Sequence, residues 1–296
     1  MKTLIVGGTG YIGSALYEYL NGKENHDIES IDLEWFFSAK NNKKIDFNKI
    51  EDYSEYDNII LLAGHSSVAM CQQDMLSSFN NNVRNFVNLL SRIDNQKLIY
   101  ASSSSVYGDT GSSPAAESWD RFRPKSYYDL TKQEIDYYAS LSNVEYYGLR
   151  FGTVNGSSTH VRNDIMINKM FYCGLIESKI EIFNSHISRP ILGINDLCRA
   201  IEKILLSNKD NRGIYNLASF NMTVGDIAYN VKGCLKNNIE VIDRGNIPAY
   251  NFSVNCSKFE DTFDFVFEDT IESIIDSFYE KTPTKISGRN KKVDYV

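Results

Sequence analysis

The chain has 296 residues, enough to bury a sizeable core as one large domain or two closely joined lobes. Its 42% hydrophobic and 23% charged residues are ordinary for a soluble globular protein, and a formal net charge of −7 argues against a nucleic-acid or anionic-membrane surface. No apolar run approaches the ~18 residues of a membrane span, and with the first strand starting at Lys2 no leader is expected. Five scattered cysteines with no Cys-x-x-Cys pair or Cys/His cluster suggest free thiols, a reducing cytoplasmic setting and no metal site.

The first element is a strand, Leu4–Val6, which breaks at Gly7, passes Gly10 and Gly13, and enters a helix over Ser14–Leu20. A dinucleotide pyrophosphate needs that order of parts: glycines for a tight turn and close backbone approach, then the unpaired N–H groups of a helix start. A second strand, Ile28–Leu33, carries Asp32 near its end, 19 residues beyond Gly13. An acid there accepts hydrogen bonds from ribose hydroxyls and repels a 2′-phosphate, so NAD is favoured over NADP.

Strands follow at Ile59–Ala63, Leu98–Ala101 and Tyr146–Phe151, with helices near Gly13–Asn21, Met75–Ile93 and Lys125–Ser142 between them. Val83, Phe86, Val87 and Leu90 recur at helical spacing in the second of these helices. Such alternation predicts an α/β fold, a doubly wound parallel (Rossmann) sheet with ligands at the carboxyl ends of its strands. After Arg150 the pattern becomes irregular, with helices expected at Asp164–Leu175, Asp196–Leu206, Val224–Leu235 and Asp269–Glu280, a strand at Gly213–Ala218, and a frayed polar tail, Gly288–Val296. The expected division is a dinucleotide-binding domain over 1–152, rejoined by 191–216, and a smaller substrate lobe from 153–190 and 217–296.

Ser102–Ser105 stand at the end of the Leu98–Ala101 strand, and Tyr128 and Lys132 lie four apart on one face of the next helix. An ammonium beside a phenol stabilises the phenolate, and the positive charge of NAD⁺ lowers the phenol pKa further. Tyr128 then serves as a base taking a hydroxyl proton while hydride leaves for nicotinamide.

At this point the chain resembles the extended short-chain dehydrogenase/reductases, within them the NAD-dependent epimerase/dehydratase group. The likeness rests on residues 7–13, Asp32, Asp46-Phe47, Leu62-Ala63-Gly64, residues 103–108, Tyr128/Lys132, Leu149-Arg150-Phe151 and Arg189-Pro190 with Asp196. It implies Ser103 as the catalytic hydroxyl, Tyr128 as base and Lys132 on the nicotinamide ribose. Gly7, Gly10, Tyr11, Ile12, Gly13, Asp32, Asp46, Phe47, Leu62, Ala63, Gly64 and Phe151 would bind the cofactor. Ser104, Thr153 and Arg189 would meet a nucleotide-sugar substrate, and helices 75–93 and 125–142 would pair in a homodimer.

Within that group, relatives that dehydrate a hexose carry Thr-Asp-Glu where this chain has Ser103-Ser104-Ser105, so without carboxylates there a dehydratase is disfavoured. C4 epimerisation needs only oxidation, rotation of the 4-keto sugar and hydride return, and ranks first. A dehydrogenase or ketoreductase, or a UDP-uronate decarboxylase-like enzyme, is the alternative. Thr153 replaces a family asparagine on the substrate diphosphate, and Asn155-Gly156-Ser157 replaces Tyr-Gly-Pro. His65 is expected to be structural, His160 and Arg162 to lie in the substrate-side loop, and Trp35-Phe36-Phe37 to pack beside the adenine pocket or a loop.

Overall fold

The computed structural model describes residues 1–207, 210–235 and 238–281. The expected tail Gly288–Val296 lies outside them. Seven parallel strands form the main sheet: β1 (Lys2–Val6), β2 (Asp27–Asp32), β3 (Asn42–Lys44), β4 (Asn58–Leu61), β5 (Lys97–Ser103), β6 (Glu145–Phe151) and β10 (Gly213–Leu217). Their spatial order is β10-β6-β5-β4-β1-β2-β3. The winding reverses between β1 and β4, and the crevice at the carboxyl ends there is where an open α/β sheet takes its ligand.

Both faces of the sheet are covered, which is why its central strands β1, β4 and β5 carry continuous apolar runs rather than alternating ones. Ile5, Ile60 and Ile99 pack against Leu16 of α1 (Tyr11–Leu20) and Ile201 and Ile204 of α7 (Ile194–Leu206). Their neighbours Leu4, Ile59 and Leu98 face the other way, onto Phe86 and Leu89 of α4 (Asn85–Leu90) and Ile135 of α5 (Tyr127–Ser140).

The helix expected over Met75–Ile93 is interrupted. It runs as α3 (Met75–Phe79), a π-turn at Asn80–Arg84, then α4, and a further short helix, α2 (Val68–Gln73), precedes it. Ser67 and Asp74 cap α2 and α3 by accepting from the N–H groups of Met70 and Ser77.

The remaining lobe holds a three-stranded sheet, β7 (Thr153–Asn155), β9 (Ser188–Gly193) and β11 (Phe220–Thr223), and a parallel pair, β8 (Lys179–Ile182) with β12 (Glu240–Asp243). Helices α6 (Met166–Glu177), α8 (Val224–Cys234) and α10 (Ile271–Lys281) enclose a separate core around Phe171, Ile180, Ile227 and Phe278. One segment assigned from sequence to this lobe packs elsewhere. Helix α9 (Ser257–Phe263) lays Phe259 and Phe263 against Tyr147 and Tyr215 on the main sheet.

Beneath the serine strand lies a buried polar network. The Arg150 guanidinium donates through Nε to Asp136 Oδ2 at 2.8 Å, and the same carboxylate accepts from the hydroxyls of Tyr100 and Ser102, each at 3.0 Å. Arg150 Nη1 donates to the Tyr107 hydroxyl at 2.8 Å, which passes its own hydrogen to Asn216 Oδ1. Arg150 is 4% exposed and Asp136 2%, so β5, β6, β10 and α5 are tied by groups that have no access to water.

Candidate active site

Strand length exposes the serines. Leu61 at the end of β4 pairs with Tyr100, but β5 continues, and Ser102 and Ser103 pair only with Arg150 and Phe151 of β6. Ser103 therefore stands above the end of β4, at the mouth of the crevice. The next helix is fixed by its own cap: Ser126 Oγ accepts from the N–H of Asp129 at 3.1 Å. That start brings Tyr128 and Lys132 over the serine strand.

The Lys132 ammonium donates to the Ala101 carbonyl at 2.7 Å and lies 5.9 Å from the centre of the Tyr128 ring. Burial pushes the Tyr128 phenol up to about 12, opposed by a hydrogen bond with Ser103. Burial also pulls Lys132 down to about 8, because a desolvated ammonium is disfavoured.

The Lys132 shift has a consequence for stability. Below about pH 8 the folded chain carries a buried ammonium; from there to the ordinary 10.5 the unfolded chain holds a proton that the folded one has released, so stability rises with pH across this window. Lys132→Met is expected to raise the melting temperature of the cofactor-free protein at pH 7, with the gain shrinking between pH 8 and 10.5. Calorimetric scans at stepped pH check this; a constant gain would show that the lysine's charge is not the cause.

The glycine turn has the geometry that a dinucleotide requires. Gly7 adopts φ +95°, and a Cβ there would lie 2.5 Å from the Ala63 nitrogen. A Cβ on Gly13 would lie 2.1 Å from the Gly7 carbonyl, so only glycine lets α1 pack this close. Gly10, at the N-cap of α1, offers no side-chain cap, which leaves the first N–H groups of the helix for an anion. Asp32 is aimed at this turn: its Oδ2 accepts from Thr9 N at 3.2 Å and its Oδ1 from Glu34 N at 2.8 Å. Uncapped helix start, glycine turn and oriented acid together fit NAD.

The other sequence-predicted residues divide. Tyr11 turns inward, its hydroxyl donating to the Gly156 carbonyl at 2.8 Å, while Ile12 packs against the sheet core. Leu62, Ala63 and Gly64 follow β4 at the crevice, and the amides of Leu62 and Ala63 donate to the Val6 carbonyl. Asp46 caps the short turn Phe47–Lys49 by accepting from Asn48 N, while the Phe47 ring is buried in the core and Phe151 packs on the opposite face.

Ser104 donates to the Phe151 carbonyl at 2.8 Å, beneath the crevice. Thr153 is in β7, and its carbonyl accepts from Asn155 Nδ2. Arg189 donates to the Ser188 and Tyr250 carbonyls and lies 5.3 Å from the Phe252 ring, burial lowering it to about 10. Asp196 is structural: its carboxylate accepts from the N–H groups of Glu268 and Asp269 and from Ser219.

Several neighbours had no sequence signal. The serine cluster lacks carboxylates in sequence but not in space, because Asp129 reaches Ser105 at 2.5 Å from α5. Asn82, on the π-turn, accepts from His65 N at 2.7 Å and donates to the His65 carbonyl and to Thr131 Oγ1, each at 3.1 Å. His65 is buried against Ser78, as its structural reading expects. His160 Nδ1 donates to the Thr9 carbonyl at 2.6 Å and its ring stacks on Phe37, while Arg162 makes a two-point ion pair with Asp164. Trp35 leans towards His65. Among the described residues no helix is long and apolar enough to cross a membrane.

Residues 3–218 match the NAD dependent epimerase/dehydratase family. Protein CapI of Staphylococcus aureus is 30% identical over 69% of this chain and 69% of its own length. In fold, the chain superposes with a TM-score of 0.81 on a Bacillus cereus UDP-glucuronic acid 4-epimerase in complex with UDP-glucuronic acid and NAD, at 20% identity over 95% of this chain and 98% of that one. A dTDP-glucose 4,6-dehydratase from Bacillus anthracis in complex with NAD gives 0.80, at 19% identity over 95% and 97%. The glycine turn, the oriented acid, the Ser/Tyr/Lys set and the sequence match agree: this chain belongs to the NAD-dependent epimerase/dehydratase family of extended short-chain dehydrogenase/reductases, with NAD as its cofactor.

Proposed function

We propose that the protein epimerises a nucleotide-activated sugar at C4. The observation that carries this reading is the meeting of Ser103, Tyr128 and Lys132 above the end of β4, beside the glycine turn. Bound NAD supplies a hydride acceptor that returns what it takes. Tyr128 receives the C4 hydroxyl proton and gives it back, Lys132 holds positive charge beside the phenolate, and Ser103 hydrogen-bonds the reacting oxygen. The keto sugar turns over between the two transfers, so no net oxidation results. Thr153 and Arg189 are assigned to the substrate diphosphate, in a lobe formed largely by the second half of the chain.

The test is incubation of the NAD-loaded protein with UDP-, dTDP-, GDP- and CDP-sugars, preceded by a thermal-shift screen. One nucleotide series should raise the melting temperature; a ligand at ~100 times its Kd adds roughly 2.7 kcal/mol. The stabilising sugar should be converted to its C4 epimer at constant mass and without NADH accumulation. Stoichiometric NADH would make the protein a dehydrogenase, and a product lighter by water or CO₂ would make it a dehydratase or decarboxylase.

We assign the homodimer to the α3/α5 face. Met75, Leu76 and Phe79 are exposed there beside Leu130, Tyr137 and Leu141, an apolar surface that a second copy would cover. Light scattering gives the mass, and Leu76→Glu should yield monomers.

A further inference from the structure

The chain leaving β2 crosses the mouth of the crevice. β2 and β4 flank β1 in the sheet, so their ends stand two strand spacings apart. Yet the ring of Trp35, three residues beyond β2, lies 6.4 Å from that of His65, four residues beyond β4. Trp35 therefore reaches over the end of β1 and the glycine turn that follows it. The crossing starts at Glu34, left-handed at φ +57°, whose N–H is held by Asp32. It ends at Asn42, which donates through Nδ2 to Glu34 Oε1 and through its backbone N–H to the Ala39 carbonyl. From Trp35 to Ser38 the segment makes no hydrogen bond with any described residue.

This free middle is caught at Phe37, which stacks on His160 with ring centroids 4.3 Å apart and planes 5° from parallel. His160 is a fixed post. Its Nδ1 donates to the Thr9 carbonyl of the glycine turn at 2.6 Å, and its own loop is fastened to α1. There Ser158 donates to the Tyr11 carbonyl and Tyr11 to the Gly156 carbonyl, each at 2.8 Å. A cleft of about 170 Å³, with Ala39 and Asn41 on one side and Tyr17 and Thr159 on the other, keeps the far end of the segment from packing down.

We propose that Trp35–Phe37 is a strap that gates the cofactor crevice, latched by Phe37 on His160, and that NAD enters and leaves only when this stack parts. The proposal rests on NAD as the cofactor and not on the sugar chemistry. Anchored ends, a middle without hydrogen bonds and one ring stack make a segment that opens locally while the sheet stays intact. The latch joins only protein groups, so its strength is the same with NAD bound or free. Loosening it changes both rates alike and leaves the affinity alone. In an enzyme that returns its hydride, the closed strap keeps the reduced cofactor in place while the keto sugar turns.

Stopped-flow fluorescence reads both rates. NAD-loaded protein mixed with excess NADH gives release, cofactor-stripped protein mixed with NADH gives entry, and isothermal titration gives Kd. Phe37→Ala should raise release and entry together by about tenfold with Kd within about threefold, the loss expected for one aromatic pair. His160→Ala should do the same, and the double variant no more than either, because each removes the same stack. Phe37→Tyr, which keeps the ring, should hold the wild-type rates. Phe36→Ala, at an exposed neighbour on the same strap, should leave them nearly unmoved. Unchanged release in Phe37→Ala overturns the proposal. So does faster release with unchanged entry, since Phe37 would then be an ordinary contact of the bound cofactor. An equal effect from Phe36→Ala overturns it too, because the latch would not be the cause. No sugar is needed, so failure of the epimerase assignment leaves this test intact.

Discussion

Tyr128→Phe should lower kcat by about 10³-fold while NAD binding stays within about twofold, because general acid–base transfer contributes on the order of 10²–10⁴. The ring keeps its packing and loses one oxygen, so KM for the sugar should change little. Lys132→Met should bring a comparable loss with weaker NAD binding, since its ammonium faces both the phenol and the expected position of the ribose. Isothermal titration with NAD and initial rates with the identified sugar separate these effects. Tyr128→Phe retaining more than about a tenth of the activity would remove Tyr128 from the chemistry.

Asp136→Ala should destabilise the fold by about 3–5 kcal/mol, because it leaves the Arg150 guanidinium buried without its counter-charge. Tyr100 and Ser102 lose their acceptor in the same step. Replacing both partners, Asp136→Leu with Arg150→Met, should recover much of that loss, since removing a buried pair entirely costs far less than breaking it. Urea denaturation of the two variants gives both numbers. If the double variant is as unstable as Asp136→Ala, the network is held by its packing rather than by its charges. Activity should fall even in a stable double variant, because β5 carries Ser103 immediately beyond Ser102.

The parts of the site readable in sequence are those that local chemistry makes unavoidable. Gly7 and Gly13 have no alternative residue at their contacts. Asp32 is placed by strand length, and Tyr128 and Lys132 by one helical turn. Asp129 is different in kind. It links Ser105 across 24 residues and Tyr250 across 121, and nothing in either local pattern announces the meeting.

The elements missed from sequence share a cause as well. β3 is Asn-Lys-Lys, β8 is interrupted by Glu181 and β12 is only Val-Ile between two acids, so none carries the apolar run by which the sheet strands are recognised. The helix carrying Phe259 and Phe263 went unread, and its segment was counted with the lobe, because burial against Tyr215 is a tertiary fact. At Asp46 and Phe47 the local motif does not announce that the aromatic ring joins the protein's own core.

The π-turn at Asn80–Arg84 acts as a phase adjuster between two demands on one helix. Ser78 before the turn and Asn82 within it face the His65 loop; beyond the turn Phe86 and Leu89 face the sheet. A regular helix of the same sequence turns about 100° per residue and would crowd all four residues into one sector about 80° wide, so a single face would have to serve both the loop and the sheet. The extra residue in the turn is thus a spacer that lets the loop and the core be tuned separately. Its deletion would keep the helix while turning one side against the other, so insertions and deletions here act as rotations rather than as changes of length.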